Sequence, residues 1–286
     1  PRVFVGCGGI GMRITRRQFI GLAGLAGLAG CSRLGLDKVK DKVASLDVMP
    51  GSPGRVTFAV IGDIHVLDAR STGIVNKAVA MVNANPDVRL TIVAGDLATD
   101  GEWSELRLAK NSLDRLDRPC FAIPGNHDVC MRAKDIYANY RKQLGESDWR
   151  REEEGWLFMG IDSCNENKSD VSIRPDQIDW IEKQLKQTNP KRPIALFSHH
   201  PFNPNTTYRV QNADEVLGLF AGHSLKLVAA GHFHGNQEET RDGILFTTTA
   251  CCSSTRDNHD GTTSKGFRLF HLDQENVTTE YVEVVA

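Results

Sequence analysis

The stretch Arg55-Val56-Thr57-Phe58-Ala59-Val60-Ile61-Gly62-Asp63-Ile64-His65 is an apolar, β-branched run that stops at an aspartate and a histidine one residue apart. Such composition fits a strand over Val56–Ile61. The same construction recurs four times along the chain. Leu90 to Ala94 runs into Gly95-Asp96, Cys120 to Ile123 into Gly125-Asn126-His127-Asp128, Ile194 to Phe197 into His199-His200-Pro201, and Leu225 to Ala230 into Gly231-His232-Phe233-His234. Six of the nine histidines fall in these clusters, a grouping that solvated or core histidines have no reason to adopt. Carboxylate and amide oxygens mixed with imidazoles suit two metal ions of the manganese, iron or zinc kind, and they exclude a thiolate zinc site.

Working outward, helical patterns at Ile74 to Val82 and Glu102 to Leu116 separate the first three strands. A further helix is signalled by Pro175 near its start and by Ile178, Ile181 and Leu185 on one face. Trp156 to Ile161 lies in a more irregular middle, and Arg150-Arg151-Glu152-Glu153-Glu154 reads as a solvated loop or helix face. Beyond His234 the chain is strand-rich, with Ile244 to Thr249, Phe267 to Leu272 and Val277 to Val285. This is the rhythm of an α/β domain over residues 55–286, in which ligands follow the carboxyl ends of strands. The polar loop Cys251 to Lys265 could bring Arg256 or His259 to the pocket rim, although a mobile loop is the plainer reading. The formal net charge of −2 shows no basic excess of the kind nucleic-acid binding leaves. Neither a Gly-x-Ser-x-Gly elbow nor a P-loop is present.

The five clusters in this order resemble the calcineurin-like metallophosphoesterases, whose signature runs D-x-H, G-D, G-N-H-D, H, G-H-x-H. The resemblance implies an α/β four-layer sandwich, αββα, of two facing mixed sheets flanked by helices. It also implies two metal ions, with Asp63, His65 and His234 on the first, Asn126, His199 and His232 on the second, and Asp96 bridging them. His199 rather than His200 is the implied ligand, because it stands two residues before Pro201; His200 is then a rim or second-layer group, or a substrate contact. His127 would polarise the phosphate or protonate the leaving oxygen, with Asp128 orienting it. The implied reaction is hydrolysis of a small phosphodiester or phosphomonoester by a metal-bridging hydroxide. The compact chain with His199-His200-Pro201 resembles bacterial phosphodiesterases of the cyclic-nucleotide and glycerophosphodiester type, which favours a phosphodiesterase. Purple acid phosphatases carry a tyrosine three residues after the bridging aspartate; Thr99 stands there here. The alternative is a non-catalytic metal- or ligand-binding envelope lipoprotein retaining the fold.

The N-terminus reads as an address. Arg16-Arg17-Gln18-Phe19-Ile20 followed by a Gly/Leu/Ala stretch resembles a twin-arginine export signal, and Leu28-Ala29-Gly30-Cys31 resembles a bacterial lipobox whose Cys31 is acylated. A membrane lipid anchor, a cell-envelope location and a flexible tether over residues 32–54 follow as expectations. Residues 1–11 read as sequence ahead of a start at Met12. Gly6 to Gly11 formally match a dinucleotide fingerprint, but the helix, second strand and acidic residue that such a site needs do not follow. Cys120, Cys130, Cys164, Cys251 and Cys252 are an odd set with no zinc-knuckle spacing and read as structural. The oligomeric state is left open by the sequence.

Overall fold

The computed structural model describes residues 53–285. The export signal, Cys31, the glycine fingerprint and residues 32–52 of the expected tether lie outside the described residues.

The five apolar runs are all strands, and each is apolar on both faces because each is covered on both. In β1 (Arg55–Ile61), Val56, Phe58 and Val60 point to one side while Ala59 and Ile61 point to the other. Helix α1 (Thr72–Ala84) leads to β2 (Val88–Ala94), and α2 (Trp103–Leu113) leads to β3 (Cys120–Ile123). Helix α3 (Ala138–Leu144) precedes a hairpin of β4 (Trp149–Glu153) and β5 (Trp156–Gly160). Then follow α4 (Pro175–Lys186), β6 (Pro193–Ser198), α5 (Ala213–Gly218), β7 (Ser224–Ala230), β8 (Gln237–Arg241), β9 (Ile244–Thr248), β10 (Gly266–Asp273) and β11 (Asn276–Glu283).

Two mixed sheets result. The first has the order β11-β10-β1-β2-β3 and the second β4-β5-β6-β7-β9-β8. Strands β1, β2 and β3 run parallel in one sheet, as do β5, β6, β7 and β9 in the other. The sheets face each other across a core of Val56, Phe58, Val60, Ile92, Trp156, Phe158, Phe197, Leu227 and Phe270. Helices α1 and α2 cover the outer face of the first sheet through Val75, Val79, Leu106 and Ala109, and α4 and α5 cover the second through Ile181, Leu185 and Val216. The four layers expected from the sequence are therefore present. At one edge the buried guanidinium of Arg268 on β10 donates to Glu238 on β8, tying one sheet to the other.

The charged stretch Arg150 to Glu154 corrects the expectation of a loop or helix face, since Trp149–Glu153 is the edge strand β4. Its charges sit where an edge needs them to repel further strands, and Trp149 seals the inter-sheet core, its indole donating to Ala122 O at 2.8 Å. Glu154 and Gly155, both at positive φ, make the tight hairpin turn. The helices α3 and α5 and strand β8 carry patterns too short or polar to be read from sequence alone.

Phe58 is the centre of the inter-sheet core. It is fully buried, stacked on Phe270 with centroids 5.0 Å apart and edge-on to Phe158 at 5.1 Å. Phe58→Ala is expected to cost about 3–5 kcal/mol, read as a lower urea midpoint of the metal-free protein at unchanged slope.

Candidate metal centre

Because the parallel strands of both sheets point the same way, the loops leaving β1, β2, β3, β6 and β7 gather at one end of the sandwich. Backbone bonds from Asp63 N to Gly95 O (3.1 Å), His65 N to Asp96 O (2.9 Å) and Gly231 N to His199 O (3.1 Å) hold them together. Asp63, His65, Asp96, His232 and His234 all have φ between 42° and 63°, the left-handed region that side chains with a Cβ avoid. Each such residue costs on the order of 1–3 kcal/mol, and strain of this kind persists only where neighbours over-determine it. It is also what breaks the strand alternation, so that His232 and His234 reach different places.

Space is as tight as the backbone. A Cβ on Gly125 would stand 2.1 Å from Asp96 Oδ1, one on Gly231 2.6 Å from Asp63 Oδ2, and one on Gly95 2.4 Å from His199 Nδ1. The glycines of the Gly-Asp, Gly-Asn-His-Asp and Gly-His-x-His clusters are there to let carboxylates and imidazoles approach the backbone.

Two clusters of ligand atoms form. In one, His65 Nε2 and His234 Nε2 are 3.2 Å apart, with Asp63 Oδ1 at 3.4 Å from His234 Nε2 and Asp96 Oδ2 at 3.4 Å from His65 Nε2. In the other, His199 Nε2 lies 3.1 Å from Asn126 Oδ1, 3.1 Å from His232 Nδ1 and 3.4 Å from Asp96 Oδ1. Asp96 thus gives one oxygen to each cluster.

The outer nitrogens of three of these imidazoles are engaged with carbonyls, to which only an N–H can donate. His234 Nδ1 donates to Asp257 O (3.0 Å), His199 Nδ1 to Ala94 O (2.9 Å) and His232 Nε2 to Ser169 O (3.1 Å). The inner nitrogens of His199 and His232 therefore present lone pairs to each other, and that of His234 presents one to His65. Two lone pairs at 3.1 Å repel unless a cation stands between them, and oxygen and imidazole donors of this kind fit manganese, iron or zinc.

Protons can serve as that cation. Burial works against charge on His199, but Asp96 and Asp63 outweigh it and raise its pKa to about 9. His234, likewise opposed by burial, is raised to about 11 by Asp63. Burial pushes their partners the other way, His65 down to about 3 and His232 down to about 4. Each cluster thus holds one charged and one neutral ring. Asp63 and Asp96 are both kept below the ordinary carboxylate value, since neighbouring imidazolium charge overcomes their burial.

Asn126 turns its oxygen inward, its amide nitrogen donating to Asn167 O at 3.4 Å. His200 is buried beside His199 and His232, within the same 4.8 Å group of ligand atoms. Unlike its neighbours it has both nitrogens engaged by groups outside the clusters, Nδ1 by Ser163 Oγ (2.9 Å) and Nε2 by Lys168 O (3.2 Å). Carbonyls of three successive residues, 167 to 169, thereby orient Asn126, His200 and His232. Sequence reading missed this segment, because main-chain acceptors leave no residue signature.

His127 sits outside both clusters, half-buried, its ring 4.9 Å from that of His65. The expected support from Asp128 is not what the structure has. Thr99 O accepts from His127 Nδ1 at 2.7 Å, while Asp128 accepts from Ala98 N and Gly125 N, both at 2.8 Å, and ties the Gly-Asn-His-Asp turn to the loop after β2. The reason is geometric, since the carboxylate turns under its own backbone toward those amides. Burial, with the Asp96 charge nearby, pushes Asp128 up to about 8. A recess of about 200 Å³ opens beside Asn126 and His127, lined also by Thr99, Asp100, Met131, Arg132 and Asn167. On the other side, His259 stacks on His234 at 4.8 Å and Tyr208 meets the edge of His232 at 5.1 Å. The loop from Cys251 to Lys265 therefore does reach the site, through His259.

Residues 56–236 match the Calcineurin-like phosphoesterase family. The chain belongs to that family. Curated relatives include a probable cyclic nucleotide phosphodiesterase of Synechococcus, 28% identical over 199 residues that cover 64% of this chain and 75% of the relative. A probable glycerophosphodiester phosphodiesterase of Arcobacter nitrofigilis is 29% identical over 215 residues, covering 70% and 73%. Among solved structures, a purple acid phosphatase from yellow lupin superposes with a TM-score of 0.65 at 12% identity, covering 82% of this chain and 52% of that one, a likeness of fold.

An ion entering either cluster would compete with the proton that His234 or His199 holds there. Both pKa values are raised, so these protons are bound below about 11 and about 9 respectively. Metal affinity is therefore expected to rise with pH, about tenfold per unit below pH 9 at the His199 cluster, with about one proton released per ion. Calorimetric titration in buffers of different ionisation enthalpy measures this; uptake without proton release contradicts it.

Proposed function

We propose that the protein is a metal-dependent phosphodiesterase that hydrolyses a small phosphodiester, with Asp96 placed so that it would serve two ions at once. The observation that carries this reading is the division of the Asp96 oxygens between two lone-pair clusters, since a carboxylate is suited to serve two cations about 3.5–4 Å apart. In this assignment Asp63, His65 and His234 hold one ion and Asn126, His199 and His232 the other. When bound, the ions supply Lewis acidity toward phosphoryl oxygens and activate water for attack at phosphorus. The names of the relatives, cyclic nucleotide and glycerophosphodiester phosphodiesterases, support a diester over a monoester.

The protein's own residues do the rest. Thr99 O fixes the proton of His127 on Nδ1, which directs Nε2 to the substrate. As the phosphorus–oxygen bond to the leaving alcohol breaks, a protonated His127 delivers the Nε2 proton to that oxygen, and the recess beside it receives the alcohol. His200, locked between Ser163 and Lys168 O, keeps His232 and His199 in place by packing against both rings, at 4.3 and 5.0 Å between centroids. Asp128 acts on the shape of the turn that carries Asn126 and His127. An envelope location, with Cys31 as lipid anchor, completes the proposal and rests on the sequence of residues 12–31.

Hydrolysis of a chromogenic phosphodiester and its monoester counterpart after loading with manganese, zinc or iron tests the reading. Turnover of the diester above the monoester is expected, and the reverse order contradicts it. His127→Ala is expected to lower diester turnover by about two to four orders of magnitude at unchanged metal content. A smaller loss on substrates with acidic leaving groups is the signature of a missing proton donor, and equal losses on all substrates would argue against that role.

A further inference from the structure

The imidazoles of the two clusters are oriented by different parts of the chain. The cluster of His199 and His232 relies on the segment 167–169 and on Ala94. His234 relies on the loop between β9 and β10, where Asp257 O accepts from its Nδ1 at 3.0 Å, His259 N donates to its carbonyl at 3.1 Å and the His259 ring stacks on its face. That loop has no helix or strand of its own from residue 249 to 265. Something else must hold its shape.

Lys265, the last residue before β10, supplies it. Its ammonium donates to Arg256 O at 2.7 Å, to Cys251 Sγ at 3.0 Å and to Asn258 Oδ1 at 3.3 Å. All three ammonium donors are thereby used on the loop itself. Asn258, buried at 8% exposure, continues the knot: its amide donates to Ser264 O and Thr262 Oγ1, and its oxygen accepts from Cys251 N at 3.2 Å. Both neighbours of Asp257 are pinned by Lys265, which never touches a ligand atom, and the Cys251 thiol that Lys265 also holds lies 3.8 Å from the Asp257 carbonyl itself.

We propose that Lys265 is a positioning residue for the Asp63, His65 and His234 cluster, setting the affinity of that ion alone by fixing the Asp257 carbonyl on His234 Nδ1. The proposal rests on the two-ion reading above. Partners in the layer behind metal-binding histidines commonly change affinity about 10–100-fold when removed. Lys265→Met keeps the alkyl stem and removes the donors, and Lys265→Arg returns a cation.

The test is calorimetric titration of the metal-free full chain with zinc or manganese, with Asn126→Ala in parallel to mark the other cluster. Lys265→Met should weaken one of two binding steps about 10–100-fold and leave the step lost in Asn126→Ala unchanged. Its metal-free melting temperature should match the parent's, and Lys265→Arg should recover much of the affinity. Two parental binding steps in Lys265→Met, or equal weakening of both, overturn the proposal. A parent protein that takes up fewer than two ions overturns the two-ion reading and this proposal with it.

Discussion

The inner nitrogens of His199 and His232 face each other as lone pairs at 3.1 Å, with Asp96 linking them to a second imidazole pair, His65 and His234, at 3.2 Å, and a protein interior holds two facing lone pairs only with positive charge between them. Much of the unusual stereochemistry of the chain is a consequence. Strained φ angles at Asp63, His65, Asp96, His232 and His234 aim the groups inward, and Gly95, Gly125 and Gly231 give up side chains to make room. Asp63 and Asp96 raise the pKa of His199 and His234 against their burial, and those imidazoles in turn hold both carboxyls below the ordinary carboxylate value.

Such a site is destabilising by itself, through buried charge and backbone strain together. The sandwich offsets it with cores away from the ligands. The aromatic set around Phe58 joins the two sheets, and helices cover both outer faces, so the parallel strands are rigid where the loops begin. The division of labour is spatial: strands provide stability, and the five loops at one end carry the candidate metal ligands. Positioning then falls to groups just behind the ligands, notably the carbonyls of residues 167–169 and 257 and the turn held by Asp128.

The strands and the ligand clusters were legible in the sequence for one shared reason, that each apolar run is long, bounded and followed at once by metal-binding residue types. The resemblance and its proline are what favour His199 over His200 in the sequence, and the bonds from His200 to Ser163 and Lys168 O are a physical argument on the same side. Asp128 could not be placed correctly, because a carboxylate next to a histidine in sequence says nothing about which way either turns. Thr99 was noticed for the tyrosine it replaces, whereas its carbonyl is what holds His127. The strand β4 was hidden because its charges mimic a solvated surface, and only the pairing with β5 shows them to be an edge. Lys265 and His259 lie in a loop whose polar sequence matches any mobile connection, and their importance arises from where the loop folds back.

The measurement closest to the central claim is a crystal structure of the metal-loaded protein with anomalous scattering at the metal edge. The account predicts two ions about 3.5–4 Å apart, each bound by one oxygen of Asp96, with His234 and His65 on one and His199, His232 and Asn126 on the other. A single ion, or a pair that Asp96 does not bridge, would contradict it.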